Sequence, residues 1–552
     1  MVNRVSLAMI APNIIDMNEY KDKDRKSLPL GIYALEAYLK KFFEDIYIFD
    51  MVTYNYTNEY ICEQINILGC NVIGISGMTN KHYESVIQLA KDIRKNCKVD
   101  KVFIGGPLAT FCADVLLKDS NVDFVVRGEG EYVLKNIIDY LQSGKDISQI
   151  KGLAYRNNGI IIFNELEKRI SNFTEIPNPE YNFTNQTVAE FISGSRAYVI
   201  MASRGCLGTC YFCQVPYYYG QRGIHWRKAE SVLTEIENAI NIWGVKRFNF
   251  QDSNFLVNRK WLDEFINSVK LRKLSFLFNI FADAECIDEE VISRLKEIGL
   301  FQVFVGFETG SEVRHKKLRK RAFFYQNSNS IDVLRKLDMK LIPGLILFYP
   351  DSSISEIEES VEWFRKYKLI KPSMYFNKMD LWYGTTEYNR LKEKGKIVGQ
   401  TISTGLQYDF EDDKVSKLYC LMMKGLEKIK PLWYCITNQN SEIRKAVDVV
   451  VYNRLMSKGG SGFEELKLMV DKLRSEMKHF DNGRNNNNER ILNTIISLYF
   501  DKALHLVKRL EDVNDDVLLL YLDKLIDTYS KKCEFIDINR FRDGINERFK
   551  YM

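Results

Sequence analysis

A strict alternation of short apolar runs with amphipathic segments fills the first 142 or so residues, and it leaves few folds open. Val5–Ala11, Ile46–Phe49 (ending at Asp50), Val72–Ser76, Val102–Ile104 and Phe124–Val126 read as strands. Pro29–Phe42, Tyr60–Leu68, Tyr83–Lys95 and Ala113–Leu117 read as helices between them, and Val133–Gln142 closes the series. Strands that are each followed by a crossover helix predict a parallel, doubly wound sheet. In such a sheet a ligand sits beyond the carboxyl ends of the strands. The segments there are Ala11–Asn13, Ser76–Asn80, Gly105–Thr110 and Gly128–Glu131. Their glycines suit close approach of backbone to a ligand, and equally suit the tight turns that any such sheet needs.

The alternation resumes at Tyr198. Tyr198–Ala202, Arg247–Phe250, Phe276–Phe281, Gln302–Gly306, Leu341–Phe348 and Met374–Met379 read as strands, with Ser231–Trp243, Trp261–Val269, Glu289–Ile298, Ser328–Leu337 and Ile354–Tyr367 as helices. Between the two series lies a connector with a small hairpin, Ile150–Tyr155 and Gly159–Phe163, followed by Pro177 and Pro179. Beyond about residue 390 the strands stop. Lys414–Lys430, Ser441–Lys458, Gly462–Lys478, Asn488–Arg509 and Val513–Tyr529 read as helices, with Asn485–Asn488 as a polar loop tip. The expected fold class is α/β throughout 1–390: a doubly wound parallel sheet over 1–145, a connector over 146–195 and a partial six-stranded (β/α) barrel over 196–390. A mostly α-helical region follows over 391–552.

Cysteine usage narrows the chemistry. Eleven cysteines is an odd number and most are scattered, which argues against a secreted disulfide framework. The first apolar stretch, Val5–Ile15, is broken by Asn and Pro, and no apolar run reaches the length of a membrane span, so a cytoplasmic enzyme is expected. A formal charge of +5 on 552 residues makes no case for nucleic acid. Against that background Cys206, Cys210 and Cys213 stand out, three thiols in eight residues directly after a buried strand. Thiolates so placed can share one metal centre. A zinc site completed by His225 or Cys286 is the alternative reading.

The Cys-x3-Cys-x2-Cys spacing between a strand and a helix, with Phe212 beside the last cysteine, resembles the motif of radical S-adenosylmethionine (SAM) enzymes. Pro29–Leu39, Ile73–Ser76, Gly105–Thr110 and Gly128–Glu131 resemble, in order, the cobalamin-binding domain of that family's cobalamin-dependent members. Leu108 departs from the family, which often has histidine after Gly-Gly-Pro. The resemblance implies a 4Fe-4S cluster held by Cys206, Cys210 and Cys213, with one iron left open to chelate S-adenosylmethionine. It also implies cobalamin bound without a histidine ligand: there is no Asp-x-His-x-x-Gly sequence, and His82 is the one histidine of the N-terminal third.

Asp252, at the end of the second barrel strand, takes the slot of the family's Gly-Gly-Glu motif and is the candidate for the S-adenosylmethionine ammonium; an N-cap role is its alternative. Glu308, in Gly306–Ser311, is a candidate for cofactor or ribose contact, or a barrel-rim ion pair. Pro343–Pro350 resembles the apolar strand beside the adenine, and Tyr383–Tyr388 the Pro-Gly-Thr segment. Ser76, Met78, Thr79, Gly105, Gly106, Gly128 and Glu129 are the candidates for cobalamin. The basic run Arg314–Arg321 reads as a solvated helix face, although one of its cations would suit the methionine carboxylate. Tyr217, Tyr218 and Tyr219 read as packing at the barrel mouth, or as channel lining. Cys420 and Cys435 read as small buried apolar residues.

The function that follows is methylation of an unactivated carbon on a small-molecule or peptide substrate, with an electron donor such as flavodoxin or ferredoxin as partner. Radical cyclisation or ring rearrangement on the same cofactors is the alternative. A tRNA methylthiolation enzyme fits less well, because Cys62, Cys70, Cys97 and Cys112 do not match its cysteine set. The intact triplet argues against a non-catalytic cobalamin-binding protein.

Overall fold

The computed structural model describes residues 4–13, 28–144, 146–220, 222–398, 406–457, 484–509 and 515–533. Its first unit is a seven-stranded sheet in the order β2-β1-β3-β4-β5-β6-β7. These strands are β1 (Leu7–Ala11), β2 (Ile46–Asp50), β3 (Val72–Ser76), β4 (Lys101–Gly105), β5 (Phe124–Val126), β6 (Leu153–Asn157) and β7 (Ile160–Phe163). β1 to β5 pair in parallel. The connector hairpin, β6 and β7, continues the same sheet antiparallel along the edge of β5. Helices cover both faces, so successive strand residues serve two cores. Ala8, Ile10, Ile73, Ile75 and Ile104 face one, while Leu7, Met9, Val72, Phe103 and Phe124 face the other. That is why these strands read as continuous apolar runs.

One helix begins earlier than its periodicity suggested. The expected Ala113–Leu117 is Pro107–Leu116, kinked at Cys112. Proline at the first helical position needs no amide partner and is already set to helical φ, so Pro107–Thr110 forms the first turn. The Gly105–Thr110 loop is therefore only two residues long before the helix.

The second unit is a five-stranded parallel sheet, β14-β13-β12-β11-β8, in simple sequence order. Its strands are β8 (Tyr198–Ile200), β11 (Arg247–Phe250), β12 (Leu277–Ala282), β13 (Leu300–Glu308) and β14 (Lys340–Leu345). The sixth expected strand, Met374–Met379, is replaced by a 3-10 turn, Pro372–Phe376, and the segment reaches the sheet only through a parallel bridge between Phe348 and Lys378. Pro372 favours a turn over a strand at this point. Between β8 and β11 the chain makes an unexpected antiparallel pair, β9 (Ser203–Cys206) with β10 (Gly223–Trp226).

Asp413–Ser457 forms one long helix where two were expected. Arg484–Arg509 takes in the Asn485–Asn488 stretch expected as a loop tip, and Asp515–Ser530 follows. The expected helix Gly462–Lys478 lies outside the described residues. These helices share the apolar core of the second unit. Tyr499 donates to the Leu421 carbonyl at 2.8 Å, and Arg365 on the barrel helix Ile354–Lys366 donates to Ser497 at 2.7 Å. Cys420 and Cys435 are exposed, contrary to expectation; both sit on the outer side of the long helix. No helix among the described residues is long and apolar enough to cross a membrane.

Candidate active site

A cavity of about 530 Å³ opens where the carboxyl ends of β3, β4 and β5 face the exits of β8 and β11, a size usual for ligand sites. Of the residues singled out for the N-terminal unit, Ser76, Met78, Gly105, Gly106, Gly128 and Glu129 line it. Met201, Ser203, Arg204, Gly205, Gln251 and Ser253 line it from the other side. Residues of the Ser76–Asn80 and Gly105–Thr110 segments therefore share one space with the ends of β8 and β11.

Close backbone packing builds the N-terminal wall. The Gly77 amide donates to the Gly105 carbonyl at 2.9 Å, and the Leu108 amide to the Gly77 carbonyl at 3.0 Å. Gly106 has φ +89°, and a side chain there would begin 2.6 Å from the Gly77 oxygen, so only glycine fits. Leu108 is buried in the core beneath this wall; its departure from the family pattern is a packing feature. Thr79 does not line the cavity. Its amide and hydroxyl lie 3.2 and 3.1 Å from Nδ1 of His82. Burial pushes the His82 imidazole down to about 4, so it stays neutral, and it too lies away from the cavity.

Glu129 lines the cavity with its carboxylate already committed. One oxygen lies 3.0 Å from Nη1 of Arg204 and the other accepts the Ile170 amide at 2.8 Å. Buried Glu131 meets Nη2 of the same guanidinium at 2.8 Å. Burial opposes the Arg204 charge, but the two carboxylates outweigh it and hold its pKa above the usual arginine range. The Tyr218 hydroxyl donates to the Gly128 carbonyl at 2.7 Å. The Gly128–Glu131 loop is thus gripped by one residue before the cysteines and one after them. Sequence reasoning assigned Arg204 no role. The available signal was a lone arginine two residues before the first cysteine, just after a strand expected to be buried.

The cysteine segment hangs from the β9–β10 pair, with Cys206 opposite Gly223. Arg169 braces the pair by donating to the carbonyls of Gly223 and Arg204, both at 3.0 Å. The Gly208 amide donates to Cys206 Sγ at 3.2 Å. Sγ of Cys206 and Cys210 flank one side of Gly208, 3.2 and 3.9 Å from where its side chain would start. All three thiols are half-buried. Burial raises each, Cys210 to about 12 and Cys213 to about 11, while nearby Lys320 pulls all three down. A bound metal is the charge that deprotonates such thiols. Among the described residues no three His, Cys, Asp or Glu side chains close on a single ion, and sulfurs that bind separate irons of one cluster need not. His225 is engaged with the Ile170 carbonyl at 2.6 Å, and Cys286 lies 3.4 Å from the Asn254 amide. Neither is placed as a fourth zinc ligand.

Lys320 is the second residue that sequence reasoning left unassigned. It comes from the run expected as a solvated face, yet its side chain is only 6% exposed. It lies 3.7 Å from Glu308 and donates to the Gly306 carbonyl. Burial works against its charge, but Glu308, Asp283 and Cys210 raise its pKa overall. Arg314 of the same run is also buried, paired with Asp351 at 2.5 Å and Glu356 at 2.7 Å. The run reads as solvated by composition because its buried members alternate with exposed ones around a short helix and the turn after it.

Glu308 has φ +69°, a left-handed conformation that costs a non-glycine residue about 1 kcal/mol or more. Its carbonyl accepts the Ile346 amide at 2.7 Å and the Tyr349 hydroxyl at 3.2 Å. It borders a second cavity of about 380 Å³ with Pro343–Ile346 and Asn377, so the two segments expected at the nucleoside do meet. Asp252 lines neither cavity. Its carboxylate accepts the Ser203 hydroxyl at 2.5 Å and the Ala202 amide at 3.2 Å. Burial pushes its carboxyl up to about 6. It does not cap a helix either, since Asn258 caps the one that follows, Arg259–Leu271. Its neighbours Gln251 and Ser253 face the cavity instead. Tyr218 and Tyr219 line the cavity, whereas Tyr217 is 38% exposed and bonds Thr386 at 2.6 Å. The Tyr383 carbonyl accepts Gln214 of the cysteine loop at 2.9 Å, which places the Tyr383–Tyr388 segment against that loop.

Comparisons with known proteins agree with this two-unit layout. A B12 binding domain model matches residues 26–138 and a radical SAM superfamily model residues 200–364. An uncharacterized methyltransferase of Pyrococcus horikoshii is 27% identical over 61% of this chain and 73% of its own length. An anaerobic magnesium-protoporphyrin IX monomethyl ester cyclase of Synechocystis is 26% identical over 56% of this chain and 62% of its own. Among solved structures, the cobalamin-dependent S-adenosylmethionine radical enzyme OxsB, with aqua-cobalamin and S-adenosylmethionine bound, superimposes with a TM-score of 0.68. It is 16% identical, and the match covers 95% of this chain and 84% of that one, a likeness of fold.

Proposed function

Since this chain belongs to the cobalamin-dependent radical SAM enzymes, we propose that it methylates an unactivated carbon of a small-molecule or peptide substrate. The observation that carries this reading is the shared cavity: Ser76, Gly105 and Gly128 border the same space as Arg204, Gly205 and Gln251. Methyl transfer to a short-lived substrate radical requires both reacting centres at one site. When bound, the iron-sulfur cluster supplies the electron that cleaves S-adenosylmethionine, and cobalamin carries the methyl group.

The protein's own residues position these groups. Cys206, Cys210 and Cys213 hold the cluster as thiolates. Lys320, buried near them and against Glu308, would supply the cation for the methionine carboxylate. Gln251 and Ser253 offer polar contacts in the slot first assigned to Asp252, which instead fixes the β8–β9 turn through Ser203. Gly105 would leave room for a corrin face, since a side chain there would meet only Val126 at 3.9 Å. With His82 turned to Thr79, no N-terminal imidazole reaches the cavity. Tyr218 and Tyr219 line the cavity beside them.

The cyclase relative keeps a second reading open, oxidative ring closure on the same scaffold. Anaerobic turnover with methyl-labelled S-adenosylmethionine separates the two. Formation of both 5'-deoxyadenosine and S-adenosylhomocysteine supports methyl transfer. 5'-Deoxyadenosine alone supports ring closure. Neither product from the cluster-loaded protein would refute both readings. The Cys206→Ala, Cys210→Ala, Cys213→Ala triple variant serves as the blank.

A further inference from the structure

The cysteine loop is flanked by residues that line the cavity, Gly205 and Gln214, and also has an outer edge. Leu207, next to Cys206, is 37% exposed. Thr209, next to Cys210, donates its hydroxyl to the Arg319 carbonyl at 2.9 Å. Arg319 lies in the short link between the helices Glu312–Lys317 and Phe324–Lys336, with φ +56°. This turn sends Lys320 inward and leaves Arg319 and Arg321 at the surface. Among the described residues Arg319 makes no ion pair, Lys316 pairs only with exposed Glu312, and Arg321 pairs with Glu285 at 3.1 Å. Beside these cations Phe323 and Tyr325 are 67% and 62% exposed. Their rings stack nearly parallel, with centroids 6.0 Å apart. Two large aromatics stacked in water beside a basic rim are the composition of a binding surface.

We propose that this patch is the docking surface for an acidic one-electron carrier protein of the flavodoxin or ferredoxin class. The proposal rests on the reading that the cysteine triplet holds a cluster, which must be reduced from outside the chain. Through Thr209 the patch lies one residue from Cys210, so a carrier seated there sits against the cysteine loop. One electron leaves the reduced carrier and enters the cluster; no bond breaks and no proton moves. Lys316 and Arg319 steer an acidic partner, and Phe323 and Tyr325 form the desolvated centre of the contact. A single-stranded RNA would also suit cations and stacked rings, but nothing would require it to sit against the cysteine loop.

The test uses the full chain with its cluster reconstituted, and two variants: Lys316→Glu with Arg319→Glu, and Phe323→Ser with Tyr325→Ser. Flavodoxin binding is read from flavin fluorescence, and cluster reduction from bleaching of its absorbance by reduced flavodoxin or by dithionite. Each variant is expected to weaken flavodoxin binding about tenfold or more (~1.4 kcal/mol) and to slow reduction by flavodoxin in proportion. Reduction by dithionite and iron content should match the wild type, whose affinity should fall as salt rises. Unchanged flavodoxin affinity in both variants overturns the proposal, as does loss of tRNA binding with flavodoxin binding intact. If the wild-type chain assembles no cluster, the proposed function fails, and flavodoxin binding to the cluster-free chain still decides the surface.

Discussion

Asp252 shows how a correct position can carry a different task. Its place after β11 was legible, but its burial and its two bonds to the β8–β9 turn were not, because both partners lie about fifty residues upstream. The carboxyl is pushed up to about 6 by burial, against the bonds from Ser203 and Ala202. The folded state therefore binds this proton more tightly than the unfolded chain does. Its stabilising contribution is full below about pH 4 and fades as pH rises through about 6, a change on the order of 3 kcal/mol. Asp252→Asn should abolish that slope. In urea unfolding across this range, the wild-type-minus-variant difference should shrink as pH rises; a flat difference would contradict the assignment. His82 makes the complementary case. Its ring is neutral, buried and bonded to Thr79. His82→Ala should cost about 1 kcal/mol through the lost local bonds and leave the spectrum of bound cobalamin unchanged. A spectrum with imidazole coordination that vanishes in the variant would count against the reading of the loop.

Among the elements, those with long-range periodicity were legible and those made by local geometry were not. Strands buried on both faces, such as β1 and β3, and amphipathic helices such as Tyr83–Asn96 stand close to where the pattern put them. The β9–β10 pair was missed because four-residue strands rich in glycine and polar residues carry no period. The sixth barrel strand failed because an apolar run after Pro372 is equally compatible with a turn. β9 nevertheless decides whether the cysteines are presented. Gly205 has φ +103°, and a side chain there would run into the Gly223 carbonyl and the Arg169 guanidinium. Gly205→Ala should open the pair while the two sheets remain. Reconstitution should then yield less than about half the wild-type iron, since a misplaced ligand shell costs tenfold or more in metal affinity, with far-ultraviolet circular dichroism unchanged. Full iron loading would show that the pair does not position the cysteines.

At the scale of the whole molecule, the two units were each visible in sequence, while their mutual grip was not. It depends on Arg204 reaching Glu129 and Glu131, and on Tyr218 reaching Gly128, contacts between residues 73 to 90 positions apart that no local pattern announces. Removing one partner of a buried ion pair strands the other charge, so this clamp holds the Gly128–Glu131 loop in fixed relation to the cysteine segment. The central claim is that the cobalt site and the cluster site border one space. The most direct measurement is a crystal structure of the cobalamin- and cluster-loaded protein with anomalous maps at the iron and cobalt edges. Iron density should lie at Cys206, Cys210 and Cys213, and cobalt density above Gly105 and Gly106, with both bordering the cavity lined by Ser76, Gly128 and Gly205. Cobalt and iron peaks on opposite sides of the molecule, with no cavity between them, would contradict the account.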